Sequence, residues 1–89
     1  MLFMVHWTIP QENRKAIIQR FLETGGAPPE GATLLGRWHT ADGAYGFAIA
    51  ESNDPQALAK WSIAWNDLIP MDVRPALDDK GIGEVLTSS

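Results

Sequence analysis

Apolar positions along this chain follow two spacings in turn, and the changes of spacing mark out its elements. Leu2 to Trp7 is a short, nearly continuous apolar run rich in β-formers, which predicts a buried central strand. Pro10 suits the first turn of a helix, with Thr8 as a cap just upstream and Glu12 near the positive end of the dipole. Ile17, Ile18, Phe21 and Leu22 recur at helical spacing and predict a helix from about residue 11 to 24. Gly25-Gly26 closes it, since glycine tolerates the left-handed conformation found at helix ends. The stretch from Gly26 to Gly31, with Pro28-Pro29 inside it, reads as a rigid connector.

Thr33 to Thr40 and Ala44 to Glu51 read as a second and third strand, joined by a turn at Asp42-Gly43. A two-residue turn there places Trp38 and Phe47 on one face, whereas a three-residue turn places Arg37 and His39 with Phe47. Asp54-Pro55 is a helix start, a capping carboxylate followed by proline at the first helical position. Leu58, Trp61, Trp65 and Leu68 then form one heavy apolar stripe. Ile69 to Leu77 alternates, with Asp72 and Arg74 on the polar side, and its Pro75 suits an edge strand. Asp79 to Leu86 predicts a short turn or helix that caps the domain. The order strand, helix, strand, strand, helix, strand is that of the α+β ferredoxin-like fold: one domain over 1–89, a four-stranded antiparallel sheet with two helices on one face.

That architecture leaves the other sheet face to be covered. The first strand is apolar on both sides, Phe3, Val5 and Trp7 on one and Leu2 and Met4 on the other, with His6 its one polar residue. In the second strand simple alternation puts Leu34 and Trp38 on one face and Leu35 on the other. A bare face of this kind exceeds the few hundred Å2 of apolar patch a monomer usually shows. The expectation is a two-fold homodimer with sheets packed face to face. The alternative is a C-terminal segment that folds back over the face of its own chain.

Composition narrows the functions. Apolar residues make up 45% and charged residues 20%, the profile of a folded domain rather than a disordered one. The net charge of -4, with its basic residues dispersed, disfavours nucleic acid. There is no cysteine, which removes disulfides, thiolate nucleophiles and thiolate metal sites and suits a reducing cytoplasm. The apolar N-terminal run lacks a basic leader and meets His6 and Pro10 too soon for a signal peptide. No stretch approaches the ~20 apolar residues of a membrane span, so a soluble protein is expected.

Leu34-Leu35-Gly36-Arg37-Trp38-His39, then Ala41-Asp42-Gly43, Gly46-Phe47-Ala48, Asp54-Pro55 and the Trp61/Trp65 helix resemble a bacterial family known as domain of unknown function 3303. The opening Met1 to Val5 and the Phe21-x-x-Thr24-Gly25-Gly26 helix end are similar to it as well. The resemblance spans almost the whole chain and is most specific at Gly36 to His39. It implies a ferredoxin-like protomer of the dimeric α/β-barrel group. That group holds cofactor-free monooxygenases, isomerases, haem-degrading enzymes and ligand-binding domains without catalysis. It implies no catalytic residue, because the family has no assigned activity.

Chemistry must therefore come from individual residues. Histidine is the side chain whose ordinary pKa lies near neutrality, and His6 and His39 are the acid/base candidates. Each also has a bland reading as a hydrogen-bonded core or interface residue. Arg37 is the sharper residue, since an arginine in an apolar strand must find a carboxylate, reach solvent or bind an anion. The bland reading pairs it with Glu51, Asp72 or a partner chain. The functional reading has it clamp a substrate carboxylate or enolate, with His39 carrying the proton. Trp7 and Trp38, on strands, are candidates to line a cavity, and Tyr45 is a proton donor or a solvated turn residue. Trp61 and Trp65 complete a helical stripe and read as core. No spacing of ligands points to a metal and no motif to a cofactor. The chain thus reads as a homodimeric ligand-binding or accessory domain with a sheet-face cavity for a small molecule. Its alternatives are a cofactor-free, monooxygenase- or isomerase-like enzyme acting on a small aromatic or carbonyl metabolite, and a haem protein.

Overall fold

The computed structural model describes residues 1–88. Seven elements follow one another: β1 (Leu2–Thr8), α1 (Arg14–Thr24), β2 (Ala32–His39), β3 (Tyr45–Ser52), α2 (Pro55–Trp65), β4 (Met71–Ala76) and α3 (Asp79–Ser88). A 3-10 turn, Gln11–Asn13, leads into α1. The four strands pair antiparallel in the order β2-β3-β1-β4, so β1 and β3 are central and β4, with Pro75, is an edge. This is the ferredoxin-like topology the apolar pattern predicts.

Local chemistry accounts for most boundaries. The Asp54 carboxylate accepts the Gln56 N–H at 3.0 Å and Pro55 opens α2. Gly25, at φ +71°, closes α1 and donates its N–H to Phe21 O at 2.7 Å. The start of α1 differs from the sequence expectation. Thr8 ends β1 instead of capping the helix, Ile9 N–H is taken by Ala44 O at 2.8 Å, and regular α-helix begins only at Arg14. Pro70 lacks an N–H to give a ladder, and β4 begins at Met71 rather than Ile69.

In the hairpin, Trp38 faces Phe47 across the strands and their rings stack at 5.3 Å. That is the register of a two-residue Asp-Gly turn, although the connection runs over residues 41–44. Thr40 N–H reaches Tyr45 O, Gly43 N–H reaches Thr40 O, and Gly43 takes φ +71°. The second strand departs from simple alternation. A bulge between Leu34 and Gly36 leaves Leu35 unpaired, so Leu34 packs into the core while Trp38 stands on the opposite face. The expectation that Leu34 and Trp38 share a face is overturned by this one extra residue.

The core lies between the sheet and α2. Phe3, Val5, Ala48, Ala50, Leu58 and Trp61 are buried together, and the two alanines of β3 leave room for the Trp61 indole. Ser52, also buried, ties the neighbouring loops together: its hydroxyl donates to Gly31 O at 2.6 Å and accepts the Asp54 N–H at 2.9 Å. The two helices are joined at their ends. Arg20 forms a bidentate pair with Asp67 at 2.8 and 2.9 Å and also donates to Ala64 O. Its guanidinium holds the Asp67 carboxyl below the ordinary carboxylate range.

The C-terminal segment does form a helix, but it does not fold back over the sheet. Leu77, Ile82 and Val85 stay exposed, and so do Trp38 and Phe47 on the bare face. The Cα radius of gyration, 14.5 Å, exceeds the ~12 Å of a compact chain of this length.

Candidate functional site

The two helices sit unequally on the sheet. α2 buries Ala57, Leu58 and Trp61, whereas α1 buries only Ile17 and leaves Leu22 77% exposed. α1 therefore stands off, and an open cavity of about 360 Å3 lies between it, α2 and the sheet. Trp7 and Met71 come from the sheet, Ile17 and Phe21 from α1, and Trp61 and Trp65 from α2. The polar side chains at the wall are Arg14, Arg37 and His39, and no Asp or Glu lines it.

Glycine shapes the floor. Gly46 lies between Trp7 and His39 across three strands, and a Cβ there would stand 2.5 Å from the Trp7 indole. Its missing side chain lets Trp7 lie flat on the backbone with its ring towards the cavity. The Trp7 and Phe21 rings flank His39 edge-on, at centroid distances of 6.2 and 6.0 Å.

Arg37 finds none of the expected carboxylates. Its guanidinium donates to Gly26 O at 2.8 Å and Gly25 O at 2.9 Å, the carbonyls of the turn that closes α1, and lies 4.8 Å over the Phe21 ring. Burial with no counter-charge lowers its pKa from the ordinary arginine value. Glu51 meets the N-terminal amine instead, and Asp72 binds Arg74 at 2.9 and 3.0 Å.

The remaining candidates lie on the other face. His6 stands 3.1 Å from Asp72, whose carboxyl is held below its usual range by Arg74 first and His6 second. Trp38, 51% exposed, lies back over Gly36, and Tyr45 is exposed opposite Thr8. The structure thus brings Arg37, His39 and Trp7 together under the helices and separates them from His6, Trp38 and Tyr45. The cavity is on the helix side of the sheet, the face that the two possible hairpin registers leave open for Arg37 and His39.

Arg14, Phe21 and Met71 are wall residues that the sequence reading did not single out. A signal for Arg14 exists: it stands four residues before Ile18 and seven before Phe21, so it belongs to the same helical stripe. Its guanidinium packs against the hairpin, 3.1 Å from where a Gly43 Cβ would be. Trp61 and Trp65 prove to be both core and cavity wall.

Chemically, the walls can hold a ring and Arg37 can meet negative charge. Among the described residues no side chain hydrogen-bonds His39, so no partner fixes its tautomer as a general base requires. Nor does any group of three His, Asp or Glu side chains among them stand ready for a metal ion. No helix among them is long and apolar enough to cross a membrane.

Comparison with known proteins gives structural neighbours of low identity. One is a protein of Deinococcus radiodurans named as a candidate antibiotic biosynthesis monooxygenase: 9% identity, TM-score 0.48, covering 86% of this chain and 92% of that one. Another is Rv0793 of Mycobacterium tuberculosis: 14% identity, TM-score 0.49, covering 88% and 96%. No curated protein matches the chain. The match that spans every residue, 1–89, is to a sequence family, and this chain belongs to it: Domain of unknown function (DUF3303).

Proposed function

We propose that this domain binds a small, ring-containing molecule in the helix-side cavity and acts as a ligand-binding or accessory protein rather than as a catalyst. The observation that carries this reading is the cavity itself, walled by three tryptophans and Phe21 and kept open by the stand-off of α1. An apolar void of about 150 Å3 already takes benzene. The space here, about 360 Å3, suits a one- or two-ring molecule and lies in the usual range of ligand pockets. The test is a titration with naphthalene-bearing probes, followed through tryptophan emission and calorimetry. Saturable quenching at one site per chain is expected. A linear response up to the solubility limit of every probe sinks the reading.

The same proposal includes a cytoplasmic homodimer through the bare sheet face. Trp38, Phe47, Met4 and Leu35 are exposed there, and α3 leaves them uncovered. Trp38→Glu places charge in the middle of that patch without touching the cavity. In sedimentation equilibrium the parent protein is expected at twice its 9.8 kDa chain mass and the variant at one chain. A parent protein that stays monomeric at tens of micromolar disproves the dimer.

One observation favours an enzyme as the second reading: Arg37 and His39 reach the same cavity. Cofactor-free proton transfer next to a carbonyl would then show as α-deuterium loss from a bound aryl ketone. His39→Gln is expected to abolish that exchange if this reading holds, and its persistence in the variant removes His39 from the role.

A further inference from the structure

The four arginines of this chain divide into two kinds. Arg20 and Arg74 each form a bidentate pair with a carboxylate, Asp67 and Asp72. Arg14 and Arg37 form no ion pair among the described residues, and these two line the cavity. In a chain whose acidic residues outnumber its basic ones by 11 to 7, this cavity wall has two arginines and no Asp or Glu, a local charge opposite in sign to that of the whole chain.

The two are not equivalent. Seven residues of helix, about 10 Å of rise, separate Arg14 from the Phe21 ring under Arg37, so they stand towards opposite ends of the cavity. Arg14 lies at the hairpin, where its charge is felt by the Asp42 carboxyl. Arg37 has carbonyl partners only. Those two bonds fix the plane of its fork and occupy two of its five N–H groups, which leaves three for a ligand. A guanidinium held in this way is preorganised, and binding an anion requires no further ordering of the side chain.

We propose that the ligand is an aromatic carboxylate, its carboxylate on the free N–H groups of Arg37 and its ring against Trp7, Phe21 and Trp65. This rests on the cavity being the binding site and adds the charge and orientation of what it binds. The ring lies along the floor made by Gly46 and Trp7, and the carboxylate points to the end of α1. Arg14 supplies a distant positive potential, and His39 borders the ring.

The test compares 1-naphthylacetate with its neutral amide, 1-naphthylacetamide, by calorimetry on the parent protein near pH 7.5. The acid is expected to bind about ten- to a hundredfold more tightly, the range of a charge-assisted pair, and added salt should weaken the acid and not the amide. Arg37→Met should reduce that ratio to near one, whereas Arg14→Gln should lower it only a few-fold. Equal binding of acid and amide by the parent protein overturns the carboxylate while leaving the cavity as a site. Binding of neither overturns both. A preference that disappears in Arg14→Gln and survives in Arg37→Met overturns the orientation. The acid-to-amide ratio needs no variant, so it stands even if loss of the Arg37 bonds to Gly25 and Gly26 loosens α1.

Discussion

Trp61→Ala is expected to remove about 3–5 kcal/mol of folding free energy, the cost of deleting a large buried aromatic and leaving a cavity behind. Trp61 is 3% exposed and packs with Phe3, Val5, Ala48, Ala50 and Leu58. A chain of this length has roughly 4–13 kcal/mol in all, so the variant gives up from about a quarter to the whole of its stability. Urea unfolding followed by far-UV circular dichroism checks this. The midpoint should fall in proportion to the free energy lost, and a loss below about 1 kcal/mol would mean that α2 is not the anchor of the fold. Trp65→Ala should cost distinctly less, because Trp65 is only half-buried and Arg20 covers its ring at 5.4 Å.

Gly46→Ala should act on both stability and binding. Two effects oppose each other. A side chain in a strand interior recovers roughly 0.5–1 kcal/mol relative to glycine, but its Cβ would overlap the Trp7 ring at 2.5 and 2.6 Å. Relief requires turning the indole off its platform, and overpacking of this kind costs about 1–3 kcal/mol. The overlap wins, with a Tm drop on the order of 10 °C. The displaced indole also leaves the cavity floor, so naphthalene probes should lose their saturable quenching even well below the new Tm. A stabilised variant with intact binding would show that Trp7 does not form that floor.

Much of the architecture was legible because it is written in local signals. The Asp54-Pro55 start, the Gly25 stop and the Asp42-Gly43 turn each depend on a few neighbouring residues, and β1 declares itself central by being apolar on both faces. The candidate site was legible in its parts, while its face was left open by the hairpin register. Arg37, His39 and Trp7 could be picked out by residue type. Their side of the sheet depends on how far α1 stands from the strands, which is set by packing between elements distant in sequence. Arg37 was expected to find a carboxylate, reach solvent or bind an anion. Two carbonyls at a helix end answer its geometry without answering its charge, and sequence spacing gives no sign of them. The Leu35 bulge was equally silent, since Leu34-Leu35-Gly36 continues a plausible alternation.

That bulge divides β2 into two reading frames. Ala32 to Leu34 is keyed to the hydrophobic core, and Gly36 to His39 is keyed separately, Arg37 and His39 inward and Trp38 outward. Drawing Leu35 into the ladder at constant length would slip the register by one and exchange the second set, sending the Trp38 indole to the helix side and the Arg37 guanidinium to the bare face. Deleting Leu35 itself would instead heal the bulge and leave Arg37 and His39 inward and Trp38 outward. The unpaired Leu35, rather than the identity of any one neighbour, thus decides which side of the sheet Arg37, Trp38 and His39 serve.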